Sequence, residues 1–390
     1  MRGESDKGEK INLIMKTWIE INKNNLLHNL EQFKKLIGEQ IKIMGVVKAN
    51  AYGHGLIEVA GVISDKVDWL GVDSFAEAMK LRQVAIKKPI LILGYTELKD
   101  LKEAVKNNIS LTVYNKETIE KLGKIPIHNP NLNPKVHIKI ETGTARQGVL
   151  EKDLADFVKF IKQFPSIEIQ GISTHYANIE DTTDSSFAME QLSAFSRAAE
   201  ILNKVGAEIP LRHTACSAAT ILFPETRFEM VRLGISMYGL WSSKETKAVA
   251  KNKNLELELK PALTWKTIVA QIKNIPSGTP IGYGLSERTS RDSKIAILPI
   301  GYYDGYDRKL SNVGNVLIRG KRCKVLGRVC MNMIIIDVTD VEKIELEDEV
   351  VLLGRQGKEE ITAEDLAGKI GTINYEVVTR INPLIQRITP

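Results

Sequence analysis

Residues 41–55 read IKIMGVVKANAYGHG, an apolar run that stops at Lys48 and gives way to Asn50, Tyr52 and two glycines around His54. The run predicts a buried strand, and no G-x-G-x-x-G follows it, which weighs against an open dinucleotide-binding sheet. Working outward, strands are predicted at WLGVDS (69–74), ILILGY (90–95), LTVYN (111–115), VHIKIE (136–141), IQGISTH (169–175), LRHTACS (211–217) and MVRLGISMY (230–238). Stretches such as FAEAMKLRQV, ELKDLKEAVKNN and EKDLADFVKFIKQF repeat apolar residues three and four apart and predict helices between them. Eight strands alternating with helices is the count of a (β/α)8 TIM barrel, placed here over 15–244.

The texture changes beyond residue 241. WSSKETKAVAKNKN (241–254) is polar and lysine-rich and reads as a linker. Short β-branched runs broken by Gly and Pro follow, so 245–390 is expected to be a mostly β C-terminal domain. One helix, TAEDLAGKIG (362–371), interrupts it, with Thr362 and Asp365 spaced as a capping pair. Residues 1–14 are a polar extension, and Met1 and Met15 are alternative starts.

The bulk properties narrow the function. A chain of 390 residues, 43% hydrophobic and 26% charged, buries a core without difficulty. The net charge of +6 is spread along the chain with no arginine-rich run, so no nucleic-acid partner is expected; attraction for a small anion is the reading kept. The three cysteines lack metal-ligand spacing, and the histidines do not pair at such spacing either, so no metal is expected. No stretch is long enough to cross a bilayer, and a cytoplasmic protein without a membrane role is the expectation.

In a barrel the C-terminal strand ends form the active face. Lys48 standing alone there would be a solvent-seeking side chain. It is joined by Lys139 and Glu141 on one side of the 136–141 run, by Arg146 in the loop after it, and by His175, Ser217 and Arg232 near the ends of later strands. A helix opening at Ser217 and the backbone at Gly234 suit a phosphate. A lysine stripped of water becomes a nucleophile for a carbonyl. Lysine plus phosphate site outlines a pyridoxal phosphate enzyme. His54 reads as a loop residue, and Cys323 and Cys330 as small core residues.

VVKANAYGHG, ISTHYAN, HTACSAAT, VRLGISMYGL, IGYGLSERT, IGYYDGYDR and RVCMNM, in that order, resemble the alanine racemases from about residue 17 to 375. The resemblance implies a barrel followed by a β-domain, with pyridoxal 5'-phosphate as cofactor. It also implies a homodimer with shared active sites that interconverts L-alanine and D-alanine for peptidoglycan. By it, Lys48 carries the cofactor and Tyr283, reaching in from the other subunit, is the second acid–base group. Tyr52, Ser217, Gly234, Ile235 and Tyr375 hold the phosphate, while Arg232, backed by His175, faces the pyridine nitrogen. Arg146 and the Met331 N–H address the substrate carboxylate, Tyr302 narrows the entrance, and Lys139 matches a position that bears a carbamate in many members. Racemisation needs acid–base groups on both faces of Cα, which Lys48 and Tyr283 supply; the expected cause of a lowered Tyr283 pKa is the cationic Arg232–His175 side.

Three stretches depart from the family. ETGTARQG stands for an Asp-Thr-Gly-Met pattern, Cys216 for a common asparagine and Asn332 for a usual aspartate. The nearest alternative is a serine or broad-specificity racemase of the same family. A decarboxylase of basic amino acids should lack the tyrosine of IGYGLSERT, and a non-catalytic cofactor carrier should lack the second domain.

Overall fold

The computed structural model describes residues 15–126, 129 and 132–390; the polar extension expected over 1–14 lies outside them. The described chain divides into two units. A barrel unit comprises Ile21–Leu263 with Asn374–Pro383 and Thr389–Pro390, and a β-rich unit comprises the described residues up to Glu20, Thr264–Ile373 and Leu384–Ile388. Neither is one continuous segment, unlike the linear division at residue 244.

The barrel strands are β1 (Lys42–Val46), β2 (Trp69–Val72), β3 (Ile90–Ile92), β4 (Ile109–Val113), β5 (Lys135–Glu141), β6 (Glu168–Ser173), β7 (Leu211–His213) and β8 (Met230–Leu233). They pair in parallel in chain order, and β8 returns to β1 with Arg232 opposite Met44. Between β7 and β8 the Arg232 N–H donates to the Ala215 carbonyl at 2.9 Å. Helices alternate with the strands, as the apolar periodicity predicts. Met44, Val46, Trp69, Leu91, Leu211 and Met230 form one buried cluster drawn from β1, β2, β3, β7 and β8. Such branched and bulky side chains make the barrel a packed core and leave chemistry to its rim.

Several strands are shorter than predicted. β1 stops at Val46, β7 at His213 and β8 at Leu233, so Lys48 and Ser217 lie beyond their strands while Arg232 stays within β8. The stretch read as a linker contains a helix, Lys244–Asn252. The Ser243 hydroxyl caps it by accepting from the Thr246 N–H at 2.9 Å, and Thr246 and Ala250 are buried, which the lysine content concealed.

The β-rich unit is a mainly antiparallel sheet, with Lys321–Leu326 between Asn315–Ile318 and Ile334–Asp337. The first strand among the described residues, Thr17–Ile21, pairs in parallel with Gln386–Ile388. Thr362 and Asp365 form the predicted capping box, each side chain meeting the other's backbone N–H at 3.0 Å. Cys323 and Tyr306 are buried, but Cys330 is partly exposed and is not the core residue it was expected to be. No helix among the described residues is long and apolar enough to cross a membrane.

Candidate active site

Beyond β1 the backbone turns the wrong way. Ala49, Asn50, Ala51 and Tyr52 all have φ between 52° and 54°, a left-handed turn with no glycine in it. For L-residues that conformation costs roughly 1–2 kcal/mol each. Here it is held by Ala51 N–H to Val47 O (2.8 Å), Gly53 N–H to Ala49 O (3.1 Å), Asn50 N–H to Glu77 Oε1 (3.2 Å) and Leu56 N–H to Asn50 Oδ1 (2.9 Å). Strain over-determined in this way concentrates at functional sites. The sequence places Lys48 at a strand end; the structure places it on the turn, where its Nζ lies 3.8 Å from Asp73, a residue the sequence did not single out. Gly53 is required, because a Cβ there would come within 1.9 Å of Val378 O. His54, read from the sequence as a loop residue, is buried with Nδ1 3.0 Å from Tyr52 O and its ring 4.4 Å from that of Tyr238.

The turn delivers Tyr52 to a polar pocket within the barrel unit. Its ring lies 5.2 Å from Tyr238 and 6.1 Å from Tyr375. A Cβ on Gly234 would come within 2.5 Å of the Tyr52 hydroxyl, so glycine makes this approach possible. Ser217 Oγ accepts from the Gly234 N–H (3.1 Å) and Ser236 N–H (3.4 Å), while the Ser236 hydroxyl is buried without a partner among the described residues. Burial raises the phenol pKa of both Tyr52 and Tyr375 above its usual range. Cys216 precedes the helix Ser217–Leu222 with its Sγ 3.9 Å from Glu180 Oε1, and burial, reinforced by that carboxylate, pushes the thiol up to about 11. Neutral hydroxyls, an open glycine backbone and an unpartnered serine fit a phosphate.

Arg232 is the centre of the mouth. Buried on β8, it donates from Nη2 to Thr174 O (2.8 Å) and Thr214 O (2.9 Å), and from Nη1 to His213 O and His213 Nδ1 (3.0 Å to the latter). Arginine only donates, so His213 Nδ1 accepts and its Nε2–H donates to His137 Nδ1 at 2.9 Å. Both rings are thereby fixed as neutral tautomers. Burial and the nearby guanidinium hold the His137 pKa down to about 3 and lower that of His213 well below its usual value. His175 Nδ1 is 3.4 Å from Arg232 Nη2, and burial followed by Arg232 lowers its pKa too. The expected cationic Arg232–His175 side is therefore corrected. Arg232 alone is the cation, since a second buried positive charge beside it would be unpaired. Burial brings Arg232 itself down to about 10, still charged at neutral pH.

Lys139 keeps part of its surface exposed, but burial and its neighbours Arg232, Arg146 and Lys48 lower its pKa well below the ordinary lysine value, with Glu141 alone opposing. Glu141 shapes the loop that carries Arg146. Its Oε1 accepts from the Gly143 (2.6 Å) and Thr144 (2.7 Å) N–H groups and its Oε2 from the Arg146 N–H (3.1 Å). The longer carboxylate thus does the folding work in the departing ETGTARQG stretch. The barrel unit gathers Lys48, Tyr52, Lys139, Arg146, His175, Ser217, Arg232, Gly234, Ile235 and Tyr375, the last on the helix Asn374–Thr379. Tyr283, Tyr302 and Met331 belong to the β-rich unit, where they are exposed by 72%, 42% and 54%. There Tyr302 N–H donates to Cys330 O at 3.0 Å, and a Cβ on Gly301 would collide with the Cys330 and Met331 carbonyls. His213 was missed as the partner of Arg232, and His137 as the acceptor behind it; the signal was a histidine on each of β5 and β7.

A packed parallel barrel with a lysine, a buried arginine and neutral hydroxyls beyond the C-terminal ends of its strands has the architecture of a barrel enzyme. The Alanine racemase, N-terminal domain model matches residues 21–242, and the Alanine racemase, C-terminal domain model matches residues 262–389. The chain is 41% identical to Alanine racemase 2 of Caldanaerobacter subterraneus subsp. tengcongensis, over 96% of this chain and 95% of that one. It resembles the alanine racemase of Bacillus anthracis with bound L-Ala-P (TM-score 0.89, 35% identity, 96% and 95% covered). It also resembles the histidine racemase of Leuconostoc mesenteroides subsp. sake (TM-score 0.86, 28% identity, 96% and 98% covered). The chain belongs to the alanine racemase family.

Proposed function

We propose that this protein interconverts L-alanine and D-alanine with pyridoxal 5'-phosphate, as a homodimer with shared sites, and that the D-alanine serves peptidoglycan. The observation that carries the reading is the left-handed turn that follows Lys48 and sets the Tyr52 hydroxyl against Gly234, whose N–H donates to Ser217. When bound, the cofactor supplies an electron sink that acidifies an amino acid's Cα–H. Lys48 holds its aldehyde and moves a proton on one face of Cα. Tyr283 of the partner subunit moves a proton on the other, since one base cannot reach both faces. Tyr52, Ser217, Tyr375 and the Gly234–Ile235 backbone hold the phosphate. Arg232 faces the ring nitrogen and, as a donor that does not release its proton, leaves that nitrogen unprotonated. Arg146 and the Met331 N–H of the β-rich unit bind the substrate carboxylate, and Tyr302 narrows the way in.

Exposure of Tyr283, Leu285, Tyr302, Met331 and Met333 on the β-rich unit supports a second copy as cover, because an apolar surface of this kind is costly to leave in water. The test is deuterium uptake at Cα in heavy water by the cofactor-loaded protein, with L-alanine, L-serine and L-histidine offered separately. Uptake with D-alanine appearing, and little on the larger side chains, is expected. Equal uptake on all three would make this a broad-specificity racemase, and no uptake on any would overturn the reading.

A further inference from the structure

Gln191 lies on the helix Ser186–Lys204 outside the strand ring and is completely buried. None of its side-chain bonds goes to its own helix. Oε1 accepts from the Ala177 N–H (2.9 Å), and Nε2 donates to His175 O (3.1 Å) and Thr142 Oγ1 (3.2 Å). A backbone N–H only donates and a carbonyl only accepts, so these partners fix the amide's orientation. The chain of donors continues in one direction. Thr174 Oγ1 spends its proton on Ile140 O (3.0 Å), so Thr142 Oγ1 donates to Thr174 Oγ1 (2.6 Å) and is left to accept from Gln191.

Two loops meet at this amide. One, after β5, runs from Glu141 to Gly148 and carries Arg146; the other, after β6, carries His175, and Gln191 holds both the His175 carbonyl and the Ala177 N–H. The Thr174 carbonyl, one residue earlier, is held from the other side by Arg232. We propose that Gln191 is a positioning residue that locks the Arg146 loop to the His175 loop, and so sets the distance between the carboxylate-binding arginine and the cofactor-facing Arg232–His175 pair. The proposal rests on the racemase reading for those roles.

The test compares wild type with Gln191→Leu, which keeps bulk and removes all three bonds, and Gln191→Glu, which keeps only the acceptor. For Gln191→Leu a fall in kcat/KM of about 10- to 100-fold is expected, the scale of an ångström-sized misplacement. It should be shared between a higher KM, through Arg146, and a lower kcat. Amide hydrogen exchange should speed up over 141–148 and 174–178 and not in the barrel strands. Gln191→Glu should regain activity as pH falls and its carboxyl becomes a donor, a limb absent from wild type. Unchanged kinetics per folded molecule, or exchange that speeds up everywhere alike, would overturn the proposal. If Gln191→Leu does not fold, Thr142→Val, which cuts the link from the other loop, is read by the same measurements. A wild type that exchanges no Cα proton would sink the racemase reading instead, while the loop exchange pattern would still decide the coupling.

Discussion

Lys139 sits among cations in the barrel mouth. Burial and three cationic neighbours favour its neutral amine, the form that attacks carbon dioxide to give a carbamate and release a proton. The resulting anion would sit among Arg232, Arg146 and Lys48 and relieve their mutual repulsion. Protein equilibrated with 13C-bicarbonate should show one carbamate carbon resonance that Lys139→Arg abolishes; its absence in wild type would leave Lys139 a free amine. His137 makes a second prediction. Its folded pKa is about 3 against 6.5 unfolded, so between those values the unfolded chain binds more protons and stability falls as pH falls. Over the two pH units below 6.5 this one group withdraws about 2 kcal/mol, since the unfolded imidazole is only half protonated at 6.5. Denaturant midpoints for wild type and His137→Asn should converge toward acid pH, and parallel profiles would refute the assignment. Lys48, Arg146 and Arg232 drew attention together, because several cations near one barrel mouth are costly unless they are paired. The neutrality of His175 was not legible, since it follows from what surrounds the ring.

The left-handed turn over Ala49–Tyr52 is the element on which the site depends. Gly53 and Gly55 hinted at unusual backbone, but alanine strongly prefers the right-handed region, so no local signal announces the turn. Exposed Ala49 gives an inverted prediction. Ala49→Gly removes about 1–2 kcal/mol of left-handed cost and adds about 0.5–1 kcal/mol of backbone entropy, so it should raise stability by up to about 1.5 kcal/mol. An ordinary helical alanine would show the reverse sign. Gly53→Ala, driven into Val378 O, should cost about 3 kcal/mol and weaken cofactor binding by displacing the helix Asn374–Thr379. Urea midpoints and cofactor titrations of the two variants check both. The helix Lys244–Asn252 was likewise illegible from composition, because its buried positions are a threonine and an alanine and not larger apolar residues.

At the scale of the whole molecule the shared-site reading has an arithmetic consequence. An equal mixture of Lys48→Ala and Tyr283→Phe chains, each inactive alone, should recover about a quarter of wild-type activity after subunit exchange, because half the dimers are hybrids with one intact site. Hybrids that form without activity would place both groups in one chain. By itself the sequence determined the eight-strand alternation, the change to a β-rich second half and the motifs of the family, because periodicity and glycine-bounded motifs are local properties of the chain. Only the tertiary structure decided that Thr17–Glu20 joins the β-rich unit and Asn374–Pro383 the barrel, that Lys48 rides a left-handed turn, and that Arg232 is flanked by neutral histidines. Those outcomes depend on strand pairing, on close approach and on burial of charge, which arise between residues far apart in the chain.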